Sequence, residues 1–504
     1  MKLKKVKAIL LALSISAAIL LAACQPNDDN NGNNIDANIN GGNINVAGGN
    51  GNNGENGYNN GDDIVASHWD TLGGRDFDGM TFTILDANPN PTIWANVPSE
   101  EMAGEAINDA LLRRNTFIEE TFGVNFEFVQ IVGENTGTNT LRNSILAGED
   151  TYDMVIARVM GGDMAALATG GMLLNLIDMP YLSLEAPWWS RLMYQNMQFD
   201  GTMFFSMGDI VPAMYNAPAA MFFNRQMMLD HGRDDNLYEL VLYGRWTLDE
   251  LERITRDVDQ DIDQNGTMYA LEDIFGVVVE RLALTSSGLA ASAGINLSTI
   301  RDGEIVVDLG TQFVADRVAR LHEVFGREYD WGGATVNIIR HTFYEGRAMF
   351  LGHYLESGTR FLRGMEQDYG IVPMPKFNEQ QESYVSFLNA WNSVFVGVPL
   401  NANADNSAFI MEALAYGSYT MVRSAVHDVV LEHIVARDEE SARMIDIIIE
   451  TSYLDLNSIY NWGGSTDVLR NAIFDGASLI SELEARQGQI ESAIAAYMNS
   501  VRGE

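Results

Sequence analysis

The segment MTFTILD at residues 80–86 decides the fold, because it is the first of three short strand patterns that alternate with helical patterns. Residues 124–131 (VNFEFVQI) alternate apolar and polar side chains, and residues 152–157 (YDMVIA) form an apolar run typical of a strand buried in a parallel sheet. Apolar side chains at helical spacing occupy residues 105–122 and 139–147, between the strand patterns. This order predicts an α/β protein with a doubly wound sheet.

The same alternation returns later in the chain. Residues 346–352, 368–372 and 394–398 are predicted strands, residues 406–418 are a predicted helix, and the chain from about residue 441 is predicted to be helical. The length of 504 residues is enough for two or three domains.

The N-terminus carries a secretion signal. Four lysines precede an uncharged run at residues 8–23, and the only cysteine, Cys24, follows it at once. Residues 21–24 (LAAC) resemble the bacterial lipobox, in which the cysteine thiol receives a diacylglycerol and becomes the mature N-terminus. We therefore predict a lipoprotein signal peptide at residues 1–23, and an N-terminal lipid on Cys24 that anchors the protein to the outer face of the cell membrane. The alternative is an ordinary secreted protein whose cysteine falls there by chance.

The next segment, residues 24–74, is predicted to be a disordered tether. It is rich in asparagine and glycine and poor in large apolar side chains. Such a composition cannot bury enough apolar surface to offset the entropy lost on ordering. The tether would hold a folded body close to the membrane.

Charge and motifs exclude several functions. With 31 basic and 69 acidic residues the formal net charge is −38, which predicts no binding to nucleic acid. The single cysteine leaves the body without a disulfide or a cysteine nucleophile. The seven histidines lack zinc-site spacing, and neither a Gly-x-Ser-x-Gly elbow nor a phosphate-binding loop is present. We predict that the protein is not an enzyme, although its abundant carboxylates leave a polysaccharide-degrading enzyme as an alternative.

Seven segments, taken in order, resemble the extracellular solute-binding proteins of family 1, the sugar-type receptors of ABC importers. They are 147–155 (AGEDTYDMV), 170–176 (GGMLLNL), 186–189 (APWW), 221–225 (MFFNR), 237–248 (LYELVLYGRWTL), 344–351 (YEGRAMFL) and 369–376 (YGIVPMPK). The resemblance implies a two-lobe periplasmic-binding-protein-like fold of type II, with hinge strands that cross between the lobes and a solute held in the cleft. It also implies a monomer whose partner is an ABC permease in the membrane.

The resemblance implies lobe boundaries as well. The first lobe is predicted to hold residues 75–213 plus 392–450, and the second to hold residues 224–387 plus 451–504. Hinge strands are predicted near residues 214–223 and 388–391.

Ligand-binding candidates follow from the chemistry of sugars. Aromatic rings stack on apolar sugar faces, and Asp, Asn and Arg side chains hydrogen-bond to hydroxyl groups. We look for these types in loops after strands and on the hinge strands; in sugar receptors of this family, the turn at Tyr354 often holds a stacking aromatic. Each candidate has core packing as its alternative role. The candidates are Arg158, Asp209, Tyr215, Tyr354, Glu356, Trp391, Asn392 and Trp188.

Residues 261–272 match the calcium loop pattern of an EF-hand, Asp-x-Asp-x-Asn-Gly followed five residues later by Glu. Oxygen ligands at these positions suit Ca²⁺. Asp257 and Asp259 allow another register, with Asp273 as a substitute acid, and a solvated acidic turn is a further alternative. The candidate ligands of this structural calcium are Asp261, Asp263, Asn265, Thr267 through its carbonyl, and Glu272.

The sequence therefore predicts a lipid-anchored receptor of an ABC importer that binds an oligosaccharide or a similar solute. The alternatives are a surface-anchored polysaccharide-degrading enzyme, and a sensor or adhesin that reuses the fold.

Overall fold

The computed structural model describes residues 68–503, except 89–95, 100, 101, 103, 134, 161, 162, 328–335 and 431–438. The predicted signal peptide, Cys24 and most of the predicted tether lie outside the described residues. Within the described residues, no helix combines the length and the apolar character needed to cross a membrane.

Strands and helices alternate along the described chain. The strands are β1 (Met80–Asp86), β2 (Val124–Gln130), β3 (Met154–Arg158), β4 (Ala219–Asn224), β5 (Phe275–Val279), β6 (Thr299–Arg301), β7 (Glu304–Val306), β8 (Ala348–Tyr354), β9 (Tyr369–Pro373), β10 (Ser386–Phe387), β11 (Val394–Gly397) and β12 (Ser452–Tyr453). The helices are α1 (Ala106–Phe122), α2 (Thr136–Leu146), α3 (Met164–Thr169), α4 (Arg191–Met197), α5 (Arg225–Asp230), α6 (Leu237–Leu242), α7 (Leu248–Thr255), α8 (Ala283–Ser292), α9 (Gln312–Phe325), α10 (Val336–Tyr344), α11 (Ala404–Met421), α12 (Arg423–Val430), α13 (Glu439–Glu450), α14 (Leu456–Tyr460), α15 (Ser465–Asp475) and α16 (Leu479–Arg502).

The first of two four-stranded sheets has the order β11–β3–β1–β2. β1 pairs in parallel with β2 and with β3, and β11 runs antiparallel to β3. All of β3 is buried, as expected for a strand covered on both faces. Gly123 ends α1 in the left-handed conformation (φ 63°), and its N–H donates to the Glu119 carbonyl, so the chain turns directly into β2.

The second four-stranded sheet has the order β5–β8–β4–β9. β5 and β8 are parallel, whereas β4 runs antiparallel to both β8 and β9. Every residue of these four strands is buried. Two smaller pairings, β6 with β7 and β10 with β12, complete the strand pairing of the described residues.

Two segments of chain run between the sheets and lie side by side. Pro218, just before β4, forms an antiparallel bridge with Leu388, and the Asn389 N–H donates to the Ala217 carbonyl at 2.9 Å. These segments fall where hinge strands were predicted, although β4 itself belongs to the second sheet. The lobe boundaries themselves stay predictions.

Apart from the hinge strands, each predicted strand is confirmed to within two residues at either end, and β1 agrees residue for residue. β4 overlaps the hinge strand predicted near residues 214–223, whereas β5 of the second sheet was not predicted. β5 (FGVVV) is a short apolar run, and periodicity alone does not distinguish such a run from a buried helical segment.

Candidate functional site

A cavity of about 620 Å³ lies where the ends of strands from both sheets meet. Met160 follows β3 of the first sheet, Glu280 follows β5, and Tyr354 is the last residue of β8. Ligand sites in open α/β sheets are expected at the carboxyl ends of strands. The lining comprises the aromatic side chains of Tyr354, Phe361 and Trp391, the polar side chains of Glu280, Arg340, His353, Glu356, Arg360, Asn389 and Asn392, and the apolar side chains of Met160, Leu282 and Leu284.

Trp391 is an open aromatic surface with a rigid support. The indole is 48% exposed, and the Arg158 guanidinium carbon lies 4.2 Å from its ring centre. Arg158 is itself buried, and its Nε donates to an Asp163 carboxylate oxygen at 2.5 Å. The Thr138 hydroxyl donates to the other Asp163 oxygen at 3.1 Å. This buried ion pair fixes the indole through a cation–π contact while about half of the side chain stays open to solvent.

The backbone beside Trp391 is set by Asn389. The Asn389 side-chain oxygen accepts hydrogen bonds from the backbone N–H groups of Trp391 and Asn392, at 3.0 and 3.3 Å. An asparagine side chain that bonds two residues ahead in this way stabilises a tight turn. The turn directs Asn392 to Glu356, because the Asn392 amide donates to the Glu356 carboxylate at 3.2 Å.

A chain of hydrogen bonds extends along the lining near β8. One His353 ring nitrogen, Nε2, lies 3.1 Å from the Glu280 carboxylate, and the other, Nδ1, lies 2.7 Å from the Ser357 hydroxyl. Burial, followed by the nearby charges of Glu280 and Glu356, raises the pKa of Tyr354 well above its usual value of 10.0. The Tyr354 phenol therefore stays protonated and offers a neutral O–H donor.

Two guanidinium groups flank one phenyl ring in the lining. The Arg340 guanidinium carbon lies 3.5 Å from the centre of the Phe361 ring, and that of Arg360 lies 5.3 Å from it. Arg340 is 6% exposed, and it donates to Asn337 at 2.6 Å and to Glu356 at 3.5 Å. Burial lowers the pKa of Arg340, Glu356 and Glu280 oppose that effect, and the charge of Arg360 adds to it.

Five of the eight predicted ligand residues belong to this site. Tyr354, Glu356, Trp391 and Asn392 line the cavity, and Arg158 supports Trp391 from behind. The assignment of these residues to ligand binding stays a prediction.

Asp209 and Tyr215 lie apart from the cavity lining and are hydrogen-bonded to each other. Both are nearly fully buried, and the Tyr215 hydroxyl donates to the Asp209 carboxylate. Burial raises the pKa of Asp209 to about 6, against the lowering effects of the Arg423 charge and the Tyr215 hydrogen bond. This pair satisfies its own polar groups within the core.

Trp188 is also not brought to the cavity. It is 4% exposed, and its indole N–H donates to the Glu412 carboxylate at 2.9 Å. Trp189 donates to the other Glu412 oxygen at 2.9 Å. The ring of Trp188 packs 4.8 Å, centre to centre, from that of Tyr416. Trp188 is therefore packed and hydrogen-bonded in the core, away from the cavity, and this placement favours its alternative role in core packing.

The acidic loop forms a compact turn in which Asp273, the alternative acid, lies close to Asp261 and Asp263. Side-chain oxygens of Asp261, Asp263 and Asp273 all lie within 4.8 Å of one another. Gly266, with φ +86°, supplies the turn, and its N–H donates to Asp261 at 2.7 Å. Glu272 is exposed and does not belong to this group.

Some residues of the cavity were missed in the sequence. Glu280 follows β5 directly, so recognition of that strand would have pointed to it as a residue in a loop after a strand. Arg340 and Phe361 lie on a helix and in a helical turn, and their sequence separation gives no sign that they meet.

The sequence matches no protein-family model and no curated protein. The fold does match solved structures. An ABC substrate-binding protein from Listeria monocytogenes in complex with cycloalternan superposes with a TM-score of 0.52 at 11% identity, over 83% of this chain and 100% of that one. A cyclo/maltodextrin-binding protein complexed with maltotetraose superposes with a TM-score of 0.53 at 12% identity, over 84% of this chain and 96% of that one.

The chain therefore has the two-lobe α/β fold of the periplasmic-binding-protein type, as predicted. At this level of identity the likeness establishes the fold, and function has to be argued from the site.

Proposed function

We propose that this chain is an extracytoplasmic solute receptor that binds an oligosaccharide in the cavity beside Trp391. The observation that carries the proposal is the combination, in one cavity, of a supported and half-exposed indole with amide, carboxylate, guanidinium and phenol groups. Aromatic rings and planar polar groups of this kind complement the apolar faces and hydroxyl rims of sugars. The cycloalternan and maltotetraose complexes of proteins with the same fold support this choice of ligand class.

Binding would couple the two sheets. Met160 and Arg158 come from the first sheet, whereas Tyr354 and Glu356 come from the end of β8 and the turn after it in the second. A ligand that contacts both sides favours a closed arrangement, because it gains contacts there that an open arrangement lacks. The paired segments at Pro218 and Leu388 are where we expect the chain to bend.

The main experiment is thermal unfolding of the purified protein against a panel of mono- and oligosaccharides. A ligand present at 100 times its dissociation constant should stabilise the protein by about 2.7 kcal/mol. Trp391→Ala should weaken binding of the same sugar on the order of 10- to 100-fold, since roughly 100 Å² of apolar contact is lost. Tyr243→Ala, which removes an exposed aromatic outside the cavity, is the matched control. If no sugar raises the melting temperature, the oligosaccharide proposal fails.

A polysaccharide-degrading enzyme is the second candidate. Ser357, His353 and Glu280 do form a hydroxyl–imidazole–carboxylate chain, but Ser357 is fully buried and its hydroxyl cannot reach a substrate. The carboxylates of Glu280 and Glu356 are engaged by His353, Arg340 and Asn392. These contacts favour a binding role. Recovery of the bound sugar in cleaved form would reverse that preference.

The remaining parts of the proposal concern location and partners. Cys24 would carry the lipid, the Asn/Gly-rich tether would hold the body at the outer face of the membrane, and an ABC permease would receive the solute. A sensor or adhesin built on the same fold is the alternative. Labelling of cells with a radioactive fatty acid should mark the wild-type protein and spare a Cys24→Ala variant.

We also propose that the acidic loop binds a structural calcium. Oxygen atoms within 4.8 Å of one another fit a cation with ligand distances of roughly 2.4 Å, and carboxylate oxygens are the ligands that Ca²⁺ prefers. Asp261, Asp263 and Asp273 would hold the ion, with Asn265 and Thr267 as further candidates. Calcium should raise the melting temperature of the wild type but not of Asp273→Asn, whereas Glu272→Gln should behave as the wild type does. An equal calcium response in all three proteins would contradict this assignment.

A further inference from the structure

We propose that the oligosaccharide bound in this cavity carries anionic groups, and that Arg340 and Arg360 receive them. The inference rests on the proposed function, because it names the class of sugar for the same cavity. It comes from the two guanidinium groups that contact Phe361, and from the Arg340 Nε, which has no hydrogen-bond partner among the described residues.

The first observation is the crowding of like charges. The guanidinium carbons of Arg340 and Arg360 lie 3.5 and 5.3 Å from the centre of the same phenyl ring. The charge of Arg360 lowers the pKa of Arg340, as expected for two nearby cations, and such repulsion is stronger where water is partly excluded. An anionic group in the cavity that reaches both guanidinium groups would relieve it.

The second observation is a buried donor without an acceptor. Arg340 is more than nine-tenths buried and lines the cavity, yet its Nε has no hydrogen-bond partner among the described residues. A buried polar group without a partner is costly, and native structures rarely keep one unless something else satisfies it. A carboxylate or sulfate oxygen of a ligand is a suitable acceptor for guanidinium N–H groups.

Neither carboxylate of the cavity forms an ion pair with Arg360. Glu280 lies against His353 at 3.1 Å, and Glu356 lies against Arg340 at 3.5 Å and accepts from Asn392. Arg360 makes no ion pair with any described residue. Its guanidinium lines the cavity and is therefore available to a carboxylate or sulfate group of a ligand.

The shared chemistry is an acidic sugar, and its charge can come from a uronic acid or from a sulfate ester. A panel of uronic-acid oligosaccharides, each paired with its neutral methyl ester, would be titrated calorimetrically against the protein, and sulfated oligosaccharides would form the second arm. We expect the acidic member of the binding pair to bind at least tenfold more tightly than its ester, and this advantage to shrink as ionic strength rises. The arm that binds identifies the source of the charge.

Arg360→Gln is the informative variant, because the side chain is exposed and its loss should not disturb folding. It should lower the affinity for the acidic ligand about three- to tenfold and the affinity for the ester less than twofold. Arg363→Gln is the matched control, since Arg363 is exposed nearby but does not line the cavity; it should leave both affinities unchanged.

Equal affinities for acid and ester, or equal effects of the two variants, would overturn the inference. Binding of neutral oligosaccharides alone, with loss of that binding in Trp391→Ala, would overturn it and leave the proposed function standing. If neither neutral nor anionic sugars bind, both fail.

Discussion

Two clusters of this molecule contain tryptophan, glutamate and a basic or aromatic neighbour, but they differ in burial and in how far their polar groups are hydrogen-bonded. In the core cluster, the Glu412 carboxylate is fully buried and accepts hydrogen bonds from the indoles of Trp188 and Trp189 and from the Ser183 N–H. In the cavity cluster, Trp391 is half exposed, and the Nε of the nearby buried Arg340 has no partner among the described residues.

The difference lies in how completely each cluster satisfies itself. A buried polar group has to be hydrogen-bonded, and the Glu412 carboxylate and the two indole N–H groups that donate to it meet that requirement with one another. The cavity cluster leaves an aromatic surface and a donor available, which is what a binding site requires. Residue types alone do not separate the two, and burial with hydrogen bonding does.

The largest expected effect comes from a matched pair of substitutions. Trp188→Ala should lower the free energy of unfolding by about 3–5 kcal/mol, because it opens a cavity in the core and removes a donor from Glu412. Trp391→Ala should change it by less than about 1 kcal/mol, because the side chain is half exposed. Denaturant unfolding of both variants gives the comparison. Similar losses of stability would mean that the contrast between core and cavity is wrong.

The second prediction concerns Asp209, which is buried and hydrogen-bonded to Tyr215 within the core, as Glu412 is to its two indoles. Burial raises the pKa of Asp209 from 3.8 to about 6, so the folded state prefers the protonated acid. The associated stability is present below about pH 4 and is lost as the pH rises through 6, and the change amounts to about 3 kcal/mol.

Asp209→Asn should remove this dependence, since the amide does not ionise. The difference in unfolding free energy between the wild type and Asp209→Asn, measured from pH 3 to 7, should shift by about 3 kcal/mol in favour of the variant. The comparison with the variant cancels the titration of the other carboxylates. A difference that stays constant over this range would contradict the raised pKa.

The fold was largely predictable because it depends on local patterns. Apolar or alternating runs of residues predicted the strands β1 and β3, and Gly123 indicated the end of α1. β5 was missed because a five-residue apolar run, buried along its whole length, carries no period.

The site was only partly predictable because it depends on contacts between residues that are far apart in the sequence. Tyr354 and Trp391 could be proposed from their positions after a strand and on a return segment. Trp188 could be proposed with equal reason, and only its burial against Glu412 excludes it from the site. The pairing of Arg340 with Arg360 across Phe361 is a property of the folded chain that no spacing indicates.

The smallest expected effect tests whether Glu356 is held for ligand binding, as in the cavity cluster, or for stability, as Glu412 is in the core cluster. Asn392→Ala removes the 3.2 Å hydrogen bond to Glu356 but leaves the contact with Arg340, so the free energy of unfolding should fall by only about 1 kcal/mol. Asn457→Ala is the matched control. Its fully buried amide bonds the Leu297 carbonyl, the Trp462 N–H and the Ser465 hydroxyl, and its loss should cost about 3 kcal/mol.

Affinity for the oligosaccharide should respond in the opposite order, with a several-fold loss in Asn392→Ala and none in Asn457→Ala when both proteins are folded. If Asn392→Ala destabilises the protein as much as Asn457→Ala does, Glu356 is held for the sake of the fold. Glu356 would then serve the fold as Glu412 does, and the polar groups left to a ligand would be those of Glu280, Arg340, His353, Arg360, Asn389, Asn392 and the Tyr354 hydroxyl.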